Sequence, residues 1–365
     1  MKKAELRHYS QLDGFRFFAI ASVMIAHFLP VGIASRFPFG FGVLFFFTLS
    51  SFLITRILLN SRNNEVDTFK SNIFSLKQFY IRRTLRIFPI YYLTIFLFYI
   101  INYQPVREIF ISLITYTTNL QIAYNHEIDT KSFTHLWSLA IEEQFYLLFP
   151  FFIFGLKRKY IFIFLIAVVF IGLFGRMFLY LDNPSNIYMW NFHSISALDS
   201  LGLGSVLGYM SLYNMENLKK IIGNRYLFLT ITIVFLGFMY FSYTQFHDDS
   251  KYNFYSGVVM RFLFNMLSFW IIGWAIVFNY KGIFKIILEN KIVNYLGKIS
   301  YGLYLYHFFV LYIGNSLLEK YGLTFSMEIK AIIFTLISIS IASVSWKFIE
   351  SPINKLKTKF NYAKK

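Results

Sequence analysis

Apolar residues run along this chain in blocks of about 20, separated by short polar segments. That block length matches the ~30 Å hydrocarbon core that a helix crosses at ~1.5 Å per residue. Ten spans are predicted, at approximately 12–30, 40–60, 86–103, 136–156, 160–180, 195–213, 226–243, 257–280, 298–317 and 327–348. The predicted fold class is all-α: a polytopic integral membrane protein with about ten transmembrane helices. Ile109–Leu120 is apolar but short for a crossing. The segment 104–135 therefore reads as re-entrant or interfacial, on the outer side, tolerable if buried in protein or lining a cavity. No internal repeat or soluble appendage is visible, and 1–365 reads as a single membrane-embedded domain.

The first span, LDGFRFFAIASVMIAHFLP, breaks its own pattern with Asp13, Arg16 and His27. Ionisable side chains inside a membrane helix are costly and mark function by default. Arg16 and His27 are eleven residues apart. That is about 20° from three full turns, so they share a face, roughly 16 Å apart along the axis. They mark two depths of one path.

Composition agrees with the pattern. The 365 residues are 57% hydrophobic and only 15% charged, against ~25% charged in soluble domains. There is no cysteine, which excludes disulfides, thiolate nucleophiles and cysteine metal sites and leaves the redox compartment open. The first span follows MKKAELRHYSQ with no small-residue cleavage site and reads as retained.

A net charge of +17 would suggest nucleic acid in a soluble protein. Here its distribution decides. With the N-terminus inside, 26 Lys and Arg fall on the inner side and six on the outer, while Arg16, Arg176 and Arg261 lie within spans. The positive-inside rule then predicts cytoplasmic N and C termini, a basic cytoplasmic tail at 349–365, and a multi-pass protein of the inner (cytoplasmic) membrane. The charge is a solvated face among membrane lipids, with no nucleic-acid role.

Four polar constellations remain. Arg16 and His27 form the first. A membrane His often only bonds helix to helix, but the co-facial Arg16 and neighbouring Asp13 make His27 a candidate general base. YIRRTLRIFP places Arg82, Arg83 and Arg86 at the inner mouth of the third span, with Arg83 and Arg86 on one face. They are either ordinary anchors or a clamp, since guanidinium forks bind phosphate bidentately.

In THLWSLAIEEQFYLLFP, His135, Ser138, Glu142 and Tyr146 form one polar stripe, with Glu143 beside it and Trp137 suited to the interfacial aromatic belt. Glu142 or Glu143 is expected to pair with Arg16, Arg176 or Arg261, or to orient a histidine. In GKISYGLYLYHF, Tyr301, Tyr304 and His307 form a slowly drifting seam. Asp199 is a further intramembrane acid, and Gly202, Gly204 and Gly208 near it permit close helix packing.

Taken together these stretches resemble acyltransferase family three, integral-membrane O-acyltransferases of bacterial surface sugars, lipids and antibiotics. LDGFRFFAIASVMIAHF is similar to the family's opening motif, an Arg and a His separated by ten residues, and maps its functional pair onto Arg16 and His27. GVLFFFTLSSFLITRIL is similar to the second-span motif, with Ser51 where Gly is usual. RRTLRIFPIYY carries the two-Arg element onto Arg83 and Arg86, and FIESP places Glu350 and Pro352. Ala197 stands where many relatives have an Arg, two before Asp199. No counterpart of the SGNH-hydrolase-like domain that some relatives carry is expected from this stretch of sequence.

The resemblance implies an acyl-CoA donor, often acetyl-CoA, entering from the cytoplasm, with no metal. Arg83 and Arg86 would hold its phosphates and Arg16 would bind it deeper. His27 would take the proton from the acceptor hydroxyl, and Glu142 or Glu143 would raise that basicity or fix the ring. The acceptor is expected to be a carbohydrate or glycolipid, while acyl length and oligomeric state, a homodimer included, stay open. The rival reading is a proton-coupled transporter or flippase for a glycan or lipid, with Arg16, His27 and Glu142 as a relay. The absence of an inverted repeat speaks against it.

Overall fold

The computed structural model describes residues 9–29, 39–63, 69–125, 133–245 and 253–360. Pro30, the basic residues Lys2, Lys3, Arg7, Arg36, Lys131, Lys251, Lys364 and Lys365, and the stretch 126–132 of the expected re-entrant segment lie outside the described residues. Among the described residues the secondary structure is helical throughout, without strands.

In chain order the helices are α1 (Gln11–Phe28), α2 (Gly42–Asn63), α3 (Phe69–Ile100), then the short α4 (Gln104–Glu108), α5 (Phe110–Ile114) and α6 (Thr118–Asn125). They continue with α7 (Trp137–Gly155), α8 (Arg158–Asp182), α9 (Ile187–Phe192), α10 (Leu198–Tyr213), α11 (Met215–Gly223), α12 (Arg225–Gln245) and α13 (Arg261–Val277). The last are α14 (Gly282–Leu288), α15 (Lys291–Lys298), α16 (Ser300–Lys320), α17 (Met327–Ser345) and α18 (Ser351–Lys355). Short π-helical turns, Tyr255–Met260 and Trp346–Glu350, lead into α13 and out of α17.

Among the described residues, eight helices are long and apolar enough to cross a membrane. They correspond to all the predicted spans except the first and ninth. Those two are helices as well, α1 and α16, but Asp13, Arg16 and His27 in one, and His307 and Asn315 in the other, dilute their apolar character. The third predicted span is extended at its start. The polar stretch from residue 69 belongs to the same continuous 32-residue helix as the apolar part. In the described part of the segment after α3 no helix is long enough to cross: it folds into three short helices interrupted at Ile109 and at Tyr116, whose φ is +54°. That left-handed backbone is held by stacking of the Tyr116 ring on Tyr91 at 4.4 Å and by Gln144 Nε2 donating to its carbonyl.

Outward faces are apolar, as lipid requires. On α8, Ile163, Phe174, Phe178 and Leu181 are exposed, and on α17 so are Ile332, Leu336 and Val344. Apolar side chains displayed in such numbers fit hydrocarbon as their solvent.

Inside, α10 is the hub, packed on α2, α8 and α13. Its glycines make this possible, as expected from the sequence. A Cβ on Gly204 would lie 2.0 Å from the Thr48 carbonyl oxygen and 2.1 Å from Ser51 Oγ, and one on Gly202 would meet Val169 at 2.7 Å. Gly204→Val should cost more than about 3 kcal/mol, since backbone cannot yield as a side chain does. It should appear as loss of the monodisperse peak in size-exclusion chromatography. Gly237→Val is the control, because nothing stands within 4 Å of a Cβ there. A second close crossing joins α1 to α15, where a Cβ on Gly297 would fall 1.9 Å from the Asp13 carbonyl oxygen.

Candidate active site

Three basic residues of the third helix part ways. Arg82 turns to the chain end, where Nη1 donates to the carbonyls of Lys357 and Phe360, each at 2.8 Å. Arg83 and Arg86 turn to the interior. Arg83 lies over the Tyr146 ring, 4.6 Å from its centroid, a cation–π contact. Arg83 and Arg86 thus stand where a clamp would need them, while Arg82 is tied to backbone carbonyls. Arg62 anchors likewise, its Nη1 donating to the carbonyls of Ile153 and Leu156 at 2.6 and 2.8 Å. These are carbonyls at the C-terminal end of α7 that lack helical partners.

Arg83 and Arg86 line a cavity together with Arg16, Glu142, Ser138, Tyr146, Tyr301 and Tyr304. Its empty space, counting the open mouth, is about 780 Å³, within the range of small-molecule sites. The apolar part of the wall comes from Val43, Phe46, Phe47, Leu49, Leu53, Ile87 and Leu139. Helices α1, α2, α3, α7 and α16 therefore supply one chamber. Ser50 and Ser300 line it too. Nothing around them in the sequence marks them, because hydroxyls in membrane helices commonly bond their own backbone.

The polar partners are local. Arg16 donates to Asp13 one turn earlier in α1. Tyr146 donates to Glu142 Oε2 at 3.2 Å and is also hydrogen-bonded to Ser50. Arg86 is an electrostatic neighbour of both Glu142 and Glu350. The FIESP glutamate thus faces the two-Arg element, and Ser345 Oγ holds it at 3.0 Å. Glu143 is not among the residues that line the cavity, and its Oε1 is buried without a hydrogen-bond partner among the described residues.

The expected partnership of Glu142 or Glu143 with Arg176 or Arg261 does not occur. Arg176 of α8 pairs with Asp199 of α10, both side chains fully buried. Nη1 reaches Oδ1 at 3.2 Å and Nη2 reaches Oδ2 at 2.7 Å. Arg261 donates to Asn191 Oδ1 at 2.7 Å. Asp199 thus receives its guanidinium from a neighbouring helix, and Ala197 beside it is simply buried. Helix rotation decides these pairings: Glu142 turns toward α3, and Arg176 toward α10.

The histidines form a separate cluster. His27 Nδ1 lies 2.9 Å from His307 Nε2, the rings 5.1 Å apart centroid to centroid and inclined by only 22°. His135, in the turn before α7, lies 5.2 Å from His307, centroid to centroid, and its Nε2 donates to the Leu305 carbonyl at 3.2 Å. Tyr304 joins cluster and cavity. It lines the cavity, its ring is 5.6 Å from His307, and its hydroxyl donates to the His135 carbonyl at 2.5 Å and meets Ser138 Oγ. The lining of the cavity does not include His27. Trp137 packs edge-on against Phe47 and Phe192. Among the described residues no group of His, Cys, Asp or Glu is placed to hold a metal ion.

The order and spacing of these residues, now seen on one set of helices, coincide with a known family. A model described as an acyltransferase domain matches residues 9–347. The chain belongs to this acyltransferase family. Among curated proteins it is similar to the O-acetyltransferase OatA of Staphylococcus aureus (strain NCTC 8325 / PS 47), 27% identical over 373 residues, covering 96% of this chain and 58% of that protein. It is also similar to a putative O-acetyltransferase of Staphylococcus aureus (strain COL), 28% identical over 384 residues, 97% of this chain and 58% of that protein. The chain thus spans a little over half the length of the curated relatives it matches. No solved structure matches it significantly.

Proposed function

We propose that this acyltransferase moves an acetyl group from cytoplasmic acetyl-CoA to a hydroxyl of a carbohydrate or lipid-linked glycan, from within the inner membrane of a bacterium. Its N and C termini would face the cytoplasm. The observation that carries the reading is the convergence of Arg16, Arg83 and Arg86 on one cavity of a membrane acyltransferase domain. Arg83 and Arg86, beside an Arg16 that is already paired with Asp13, suit an anionic ligand, and guanidinium forks suit the phosphates of a CoA thioester. The serine and tyrosine hydroxyls suit the amides of a pantetheine arm. The names of the relatives support acetyl as the group.

In the reaction, His27 takes the proton of the acceptor hydroxyl, the oxygen attacks the thioester carbonyl, and the C–S bond breaks to release CoA. The proton returns from the imidazolium to the departing thiolate. Glu142, beside Arg83 and Tyr146, orders the guanidiniums rather than acting on the histidine.

Purified protein in nanodiscs should release free thiol from acetyl-CoA only when a surface-glycan extract is present, and the glycan should gain acetyl by mass spectrometry. Arg83→Gln and Arg86→Gln should each raise KM for acetyl-CoA roughly 10–100-fold, the worth of a hydrogen bond to a charged group. Glycan translocation without thiol release would overturn the reading in favour of transport. Unchanged KM in both variants would remove the arginines from donor binding.

A further inference from the structure

His307 is fully buried in α16. Its Nδ1 lies 2.8 Å from the Tyr304 carbonyl oxygen and 3.2 Å from that of Leu303. Carbonyl oxygens only accept, so this nitrogen carries the hydrogen. A neutral imidazole has one N–H, which leaves the His307 Nε2 lone pair free to accept. The atom facing it at 2.9 Å is Nδ1 of His27. The hydrogen bond exists only if His27 Nδ1 donates, and His27 Nε2 is then the unprotonated nitrogen. The opposite arrangement needs a His307 imidazolium. The groups around it are His27, His135 and Tyr304, with no carboxylate among its hydrogen-bond partners, and an unpaired buried charge is strongly disfavoured.

We propose that His307 is a positioning residue that holds His27 in the tautomer with Nε2 free, anchored by the backbone carbonyls of Leu303 and Tyr304. The proposal rests on the reading of His27 as the base and deepens it. Histidine in water favours the other tautomer, with its hydrogen on Nε2, which cannot accept a proton there. In this protein the role that carboxylates play in many triads falls to an imidazole whose own orientation is set by a helix backbone. When His27 Nε2 takes the proton of an acceptor hydroxyl, the Nδ1–H bond to His307 becomes charge-assisted and strengthens. Neither Glu142 nor Glu143 is hydrogen-bonded to His27, so the orienting task expected of them passes to His307.

Solid-state NMR of ¹⁵N-histidine-labelled protein in nanodiscs reads the tautomer directly, with His27→Ala identifying the resonances. The wild type should show His27 protonated at Nδ1 and bare at Nε2. His307→Phe should shift His27 toward the Nε2–H form and lower kcat for acetyl-CoA-dependent transfer roughly 10²–10⁴-fold, leaving KM for acetyl-CoA unchanged. His307→Gln, whose Oε1 can accept from His27 Nδ1–H, should recover at least about a tenth of the lost rate and carry the test should the Phe variant not fold. Nε2-protonated His27 in the wild type overturns the proposal, as does a His307→Phe protein with wild-type kcat. If His27→Ala retained transfer while the Nδ1–H tautomer was observed, the base reading would fall and the tautomer assignment would stand.

Discussion

Asp199→Ala should lower the melting midpoint of the detergent-solubilised protein by roughly 5–15 °C, the equivalent of about 3–5 kcal/mol. The reason is an asymmetry within the Arg176–Asp199 pair. Both side chains are shut away from solvent and lipid. Arg176 also donates to the Ser196 carbonyl at 2.9 Å and the Val258 carbonyl at 3.3 Å, while Asp199 accepts from the Ser200 N–H at 2.9 Å. Removing the carboxylate strands a guanidinium that cannot lose its charge. Removing the guanidinium strands a carboxyl that can take up a proton and become neutral. Arg176→Met should therefore do less harm than Asp199→Ala. The double variant Arg176→Met/Asp199→Leu should recover most of the stability, because a matched apolar pair is often as good as a buried ion pair. Midpoints from fluorescence-detected size-exclusion melts would check all three. Equal loss in the two single variants would contradict the asymmetry.

The second large effect is on rate. His27→Ala should reduce kcat roughly 10²–10⁴-fold, the usual contribution of a general base, with little change in KM for acetyl-CoA. The unaltered KM follows from the separation of His27 from the Arg16, Arg83 and Arg86 cavity, with Tyr304 between the two groups. His27→Gln should behave like the alanine variant, since an amide keeps the shape but not the basicity. Thiol release measured against donor concentration distinguishes the outcomes. A rise in KM alone would make His27 a donor-binding residue.

Much of this arrangement was legible from local pattern. Ser138, Glu142 and Tyr146 share a helix face by spacing alone, and all line the cavity. Arg83 and Arg86 point inward together for the same reason. Gly202 and Gly204 announce the close crossing of α10 with its neighbours. What was illegible is which face meets which across distant segments. Arg176 and Asp199 are separated by 23 residues and His27 and His307 by 280, and no periodicity links them. Rotation of each helix about its axis decides the partners. It leaves Glu143 out of the cavity lining while its neighbour Glu142 enters it, and separates Arg82 from Arg83. The unbroken α3 was also hidden, because its polar first half, Phe69 onward, looks like a loop when hydropathy alone is followed.

The His27–His307 bond has a consequence for biosynthesis. At about 5–20 residues per second, the ribosome adds the 280 residues between the two histidines in roughly 15–60 s. During that interval α1 is already made while α16, which carries the acceptor for its Nδ1–H, does not exist. Under the proposed role of His27, a nascent or prematurely terminated chain that lacks α16 has this Nε2 unaimed. Fragments ending before Ser300 should transfer no faster than the His307→Phe variant, even when the arginines of α1 and α3 are present.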